Sequence, residues 1–166
     1  MPIRLPEMNP CYFCQIIAGS AEPWNVLEET SLTLTLLNSR QFEVGQCMVI
    51  PARHAPTLLD LRADEEAAVM AAAKRLARVL VAAFDPDGVL LYQNNGVGSG
   101  QEVPHFHLHV VPRRPASDWG LGPPHIARLE ARLERGGAHL DHRVVTDAKR
   151  DTAETIRRTY LTGAGG

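Results

Sequence analysis

Polar and apolar residues alternate over residues 106–111, the pattern of a half-buried strand. Successive strand side chains point to opposite faces. His105, His107 and His109 therefore share one face, roughly 7 Å apart, while Phe106, Leu108 and Val110 turn to the other face and into a core. Two earlier strands are predicted at 24–29 and 32–37, joined by a tight turn at Glu29-Thr30-Ser31, with Thr and Leu alternating in the second. A third reads over 46–50 and ends at Pro51, and another covers 89–93. Between them the period lengthens to that of a helix. Over 64–84, Val69, Ala72, Ala73, Leu76, Val79, Leu80 and Ala83 make one apolar stripe. Asp64, Glu65 and Glu66 open that helix and Lys74, Arg75 and Arg78 fall later, as its dipole prefers. A helical turn is expected at Leu58-Leu59-Asp60-Leu61, and further helices at 126–135 and 152–161.

Composition narrows the class without changing this outline. The chain has 166 residues, 45% hydrophobic and 22% charged, which suits one globular domain with a sizeable core. A net charge of -2 argues against a nucleic-acid partner. No apolar run approaches membrane-spanning length and the start lacks a secretory h-region, so no membrane role and a cytoplasmic location are expected. Three cysteines in a reducing compartment argue against disulfides. Cys47, within a strand, reads as a small buried hydrophobe.

The candidate chemistry sits in two places. Cys11-x-x-Cys14 can hold a metal, stay buried and inert, or run redox chemistry, the last disfavoured by the lack of a strand–helix context. The histidine strand follows a loop, 94–100, too rich in glycine for regular structure, whose N–H groups could approach an anion. Its three histidines could ligate a catalytic metal, supply a nucleophile with phosphate-holding neighbours, or be surface residues. Asn38, at a strand end, is a turn residue or a ligand contact. His54 lies in a short loop and gains interest only if the cysteine pair needs another ligand. His125, His139, His142 and the Arg157-Arg158 pair read as solvated surface.

His105-Phe106-His107-Leu108-His109-Val110-Val111 resembles the signature of the histidine triad (HIT) superfamily at each position. Gly100-Gln101-x-Val103, Asn94, Cys11-x-x-Cys14-x-Ile16-Ile17-Ala18-Gly19 and Val49-Ile50-Pro51-Ala52-Arg53-His54 are similar to that family too, in order, across roughly 11–114. The resemblance implies an α+β fold: a five-stranded antiparallel sheet with one long helix and C-terminal helices, the sheet continued across a homodimer. It makes 1–114 the HIT domain, with its core from about residue 11. Residues 115–166 are then an extension packed on the same domain, with a frayed tail.

The activity the resemblance implies is cleavage at the α-phosphorus of a purine nucleotide through a covalent nucleotidyl-histidine, releasing AMP. His107 becomes the nucleophile and His109 the phosphate-contacting histidine. Asn38 matches the ribose contact, and Asn94, Gln101 and the backbone at Val103 would touch phosphate or leaving group. A neutral imidazole suits the role at pH 7, given a hydrogen bond from its other ring nitrogen to a backbone carbonyl. Cys11, Cys14, His54 and His105 match a structural zinc set found in a microbial subset, and no catalytic metal is then required.

Two departures stand out. Glu102 replaces the usual Ser or Thr, and either points away or selects a leaving group carrying a cation. Pro104 replaces an aromatic or basic residue. His109, being histidine and not glutamine, favours hydrolysis over nucleotidyl transfer. Trp119 could close over the site, reach across a dimer or cap the core. The competing readings are a nucleotide-binding regulatory module with incidental turnover and a true metalloenzyme.

Overall fold

A computed structural model describes residues 3–19, 24–114 and 146–165. The expected helix at 126–135, Trp119, His125, His139 and His142 lie outside them. One antiparallel sheet has the order β1-β2-β3-β5-β4. It is built from β1 (Val26–Glu29), β2 (Thr33–Leu37), β3 (Cys47–Pro51), β4 (Gly88–Tyr92) and β5 (Leu108–Arg113). The first turn closes where expected, with Thr30 N donating to Thr33 O. Among the described residues no helix is long and apolar enough to cross a membrane.

The long helix α2 (Ala63–Phe84) lies on one face and buries Val69, Ala72, Ala73, Leu76, Val79 and Leu80. They meet Leu37, Val49, Phe106, Leu108 and Val110, so the alternation around the histidines sorts as predicted. Cys47, fully buried, belongs to this core. The last helix, α3 (Asp147–Leu161), adds Ala153 and Ile156 to it, with Thr146 capping its N-terminus. Arg157 is not part of a solvated face. Its guanidinium donates to Val26 O at 2.9 Å and to Trp24 O, tying α3 to the β1 edge.

The opposite face carries a helix the periodicity did not reveal, α1 (Tyr12–Ile17). Six residues are too few to display a period, and Cys11 at the N-cap makes no side-chain cap. Phe13 and Ile16, one turn apart, pack on Leu34, Leu36, Met48 and Ile50 of β2 and β3. This contact lays the cysteine pair against the histidine face of the sheet.

Regular pairing in β5 starts at Leu108, later than the sequence pattern suggests. Met48 pairs with His109 and Val49 with Leu108, and there the β3–β5 ladder stops. Upstream, Phe106 N donates to Ala55 O (2.6 Å), and the Pro51 carbonyl takes the ring of His105 (3.0 Å). β3 ends at Pro51, Ala52 N still donates to Leu32 O (2.8 Å), and the loop that follows carries His54.

Candidate functional site

The site occupies a cleft of about 500 Å³ between α1, the loop after β2 and the loop before β5. Its lining includes Tyr12, Phe13, Asn38, Arg40, Phe42, Met48, Tyr92, Asn94, Glu102, Val103, His107 and His109. Of the sequence-derived candidates, Asn38, Asn94, Val103, His107 and His109 therefore share one wall system.

His107 is 7% exposed. Its Nδ1 lies 2.7 Å from His105 O. A carbonyl only accepts, so Nδ1 carries the proton and the lone pair resides on Nε2. Burial holds this imidazole below its ordinary pKa, against opposite pulls from that bond and from Glu102. A neutral ring with an available Nε2 lone pair is a competent nucleophile.

His109 has the opposite tautomer. Its ring stacks on Tyr92 (4.3 Å, 15°), and Gln46 Nε2 lies 3.5 Å from His109 Nδ1. Gln46 Oε1 accepts from Phe42 N at 2.9 Å, which fixes the amide so that Nε2 donates. His109 Nδ1 is thus an acceptor, and its proton sits on Nε2. Burial pushes the His109 pKa well down, with neighbouring His107 adding to the effect. The two rings are 5.1 Å apart at 85°. One offers a lone pair and the other a proton.

Asn38 and Gln101 hold loops as well. Asn38 Oδ1 accepts from Arg40 N at 3.0 Å, an Asx turn that leaves Nδ2 as the donor of its amide. Gln101 is outside the lining and 3% exposed. Its Oε1 accepts from Gly96 N (2.6 Å) and its Nε2 donates to Pro56 O and Val103 O (2.7 and 2.9 Å). It shapes the cleft from behind.

The glycine loop is tighter than its composition suggests. The N–H groups of Gly96, Val97, Ser99, Gly100 and Gln101 are all satisfied within the chain, by Gln101 Oε1 and by the carbonyls of Arg4, Gly96 and Val97. They do not form an open anion-binding nest. Gly96 is required there, since its φ is +80° and a Cβ would lie 2.2 Å from Ile3 Cγ2.

Arg40, Gln46 and Tyr92 had no signal in the sequence, because each acquires its role from a distant partner, Glu102 for Arg40 and His109 for Gln46 and Tyr92. Arg40 Nη1 donates to both oxygens of Glu102, at 3.1 and 3.0 Å. Glu102 therefore meets a cation and remains in the cleft wall.

Beside the cleft, Cys11, Cys14, His54 and His105 present donor atoms within 4.8 Å of one another. Cys14 Sγ is 3.2 Å from His54 Nδ1, and both sulfurs are 3.7 Å from His105 Nδ1. A tetrahedral S₂N₂ metal site has ligand–ligand edges of roughly 3.3–3.8 Å, so the donor set fits one. His105 Nε2–H donates to Pro51 O, leaving the Nδ1 lone pair for the metal. Four protein donors would close such a sphere. Burial lowers the His105 pKa to about 4, and burial together with Cys11 raises the Cys14 thiol to about 11.

The HIT-domain profile matches residues 20–116. The chain belongs to the HIT family. The adenosine 5'-monophosphoramidase hnt1 of Schizosaccharomyces pombe is 33% identical over 112 residues, 68% of this chain and 80% of that protein. Adenylylsulfatase HINT3 of Arabidopsis thaliana is 33% identical over 106 residues, 64% of this chain. The chain spans only about half (53%) of that relative's length. A Zn-bound histidine triad family protein from Mycobacterium smegmatis superposes with a TM-score of 0.70 at 27% identity, covering 92% of this chain and 94% of its own. HIT proteins named as hydrolases are thus among its relatives.

Proposed function

We propose that this HIT protein is a nucleotide hydrolase acting at the α-phosphorus of adenosine phosphoramidates or dinucleoside polyphosphates. The observation that carries this reading is the paired tautomers, His107 with its lone pair on Nε2 and His109 with its proton there. In the first step His107 Nε2 forms a bond to phosphorus while the P–N or P–O bond to the leaving group breaks, and the departing atom takes up a proton from solvent. His109 Nε2–H stabilises the phosphoryl oxygens. In the second, water adds to phosphorus and releases a proton to solvent, the His107–P bond breaks with its electron pair returning to Nε2, and AMP leaves. Asn38 Nδ2 donates to the ribose hydroxyls, Asn94 and Val103 border the phosphate, and Gln101 acts through the loop it holds.

Zinc on Cys11, Cys14, His54 and His105 is structural in this scheme. It clips α1, one wall of the cleft, to the segment bearing His107, and residues 115–166 extend the 1–114 domain. A homodimer is proposed through the outer edge of β4, which pairs only with β5 among the described residues. The phosphoramidase name of the fission-yeast relative and the zinc of the mycobacterial neighbour support these assignments.

The test is AMP release from adenosine phosphoramidate and from diadenosine tetraphosphate. His107→Ala is expected to lower turnover by at least about 10³-fold with the circular dichroism spectrum unchanged. Full activity in that variant would replace catalysis by His107 with the binding-module reading.

A further inference from the structure

Among the described residues, Arg40 and Glu102 are the one guanidinium and the one carboxylate of the cleft lining. They come from different loops, 62 residues apart, and one guanidinium nitrogen spans both carboxylate oxygens. The pair is too exposed to be explained by stability. The side chains are 23% and 56% accessible, and ion pairs of that kind contribute little to folding. Its consequence lies in the cleft. The guanidinium of the described lining is already matched by a carboxylate, so this pair adds no net charge to the wall. A nucleotide carrying a single charged phosphoryl group suits such a wall. Each further phosphate would bring another negative charge towards Glu102, and among the described residues the lining offers no cation besides the Arg40 already paired with it.

We propose that Arg40 and Glu102 form a leaving-group subsite that selects amine leaving groups, neutral or cationic, over polyphosphates. Glu102 accepts hydrogen bonds from the amine and repels phosphate, while Arg40 holds the carboxylate in place and limits its reach into the cleft. The proposal rests on the hydrolase reading and narrows it to phosphoramidate-type substrates.

Two measurements test it separately from that reading. Calorimetric binding of AMP and of adenosine 5′-tetraphosphate needs no turnover. The wild type is expected to bind the tetraphosphate no more tightly than AMP, and Glu102→Gln to shift that ratio about tenfold towards the tetraphosphate. Glu102→Ser should do the same, excluding an effect peculiar to the amide. In turnover, the ratio of kcat/KM for an adenosine phosphoramidate of a lysine-like amine over that for diadenosine tetraphosphate should fall about tenfold in Glu102→Gln.

Unchanged ratios in both assays, or a wild type that already prefers the tetraphosphate, would overturn the subsite. A binding ratio that shifts while His107→Ala keeps full turnover would retain the subsite and remove the covalent mechanism. Failure of the wild type to bind either nucleotide would remove both.

Discussion

Gln46 controls which nitrogen of His109 carries the proton, and does so only because Phe42 N occupies its Oε1. Replacing it by leucine keeps the volume and removes the donor, so His109 can take the wrong tautomer. Gln46→Leu is expected to lower kcat by about 10- to 100-fold with KM little changed, and Gln46→Asn to recover none of it, being too short to reach the ring. Steady-state kinetics on adenosine phosphoramidate checks this. A matching fall in thermal midpoint would mean that the residue acts through folding alone. Such roles were invisible in the sequence. His105, His107 and His109 were legible because three uncommon residues at a spacing of two define a face without knowledge of the fold. Cys11 and Cys14 were legible for a similar reason. Gln46 and Arg40 are ordinary polar residues until β3, β4 and β5 bring them to their partners.

The elements that carry the proposed zinc ligands are held by contacts of different kinds. The His54 loop is tied to the start of α2. Arg53 donates to both oxygens of Glu65 at 2.8 and 2.6 Å and to the carbonyls of His54 and Asp60, while Glu65 also caps Arg62 N. The Arg53 bond, chiefly, holds the Glu65 carboxyl at about 2, below the usual 4.5. A folded pKa below the unfolded one stabilises the fold above pH 4.5, and that stabilisation is lost as pH falls through about 2. Glu65→Gln should therefore cost about 2 kcal/mol at pH 7 and almost nothing near pH 2, measured as the difference in urea unfolding from wild type. An equal cost at both pH values would assign the effect to packing. At α1 the packing is small, Phe13 and Ile16 alone being buried, so the proposed zinc would supply much of the restraint. Chelation is expected to lower stability by roughly 3 kcal/mol or more and to strip hydrogen-exchange protection from Tyr12–Ile17 before that of α2. Protection of α1 unchanged in the chelated protein would count against the clip. The sequence showed the candidate ligands of this element without showing the helix, since its shape is set by what Phe13 and Ile16 pack upon.

At the scale of the molecule, the strands and the long helix were readable because hairpin turns and apolar periods are local signals. The ends of the sheet were not, since what covers an edge comes from distant chain. β1 is one edge, and Arg157 of α3 takes its Trp24 and Val26 carbonyls. β4 is the other, pairing only with β5 among the described residues, and its Leu91 is 41% exposed. An uncovered strand edge with an apolar side chain is where a second sheet can add, main chain to main chain. Two β4 strands related by a two-fold axis would join antiparallel and extend five strands to ten. Leu91 would then approach its counterpart, and a lysine in its place would set like charges together across the axis. Light scattering after size exclusion should give twice the 18.2 kDa chain mass for wild type and a single chain mass for Leu91→Lys. A wild-type mass of one chain would leave β4 as an edge in solution. A Leu91→Lys protein that remained a dimer would move the interface elsewhere on the molecule. Leu91 lies outside the cleft lining and Tyr92, the next residue, stacks on His109, so dissociation should also loosen the support of His109. The monomeric variant is therefore expected to lose activity by a fall in kcat, restored when Leu91→Val replaces Leu91→Lys and the dimer re-forms.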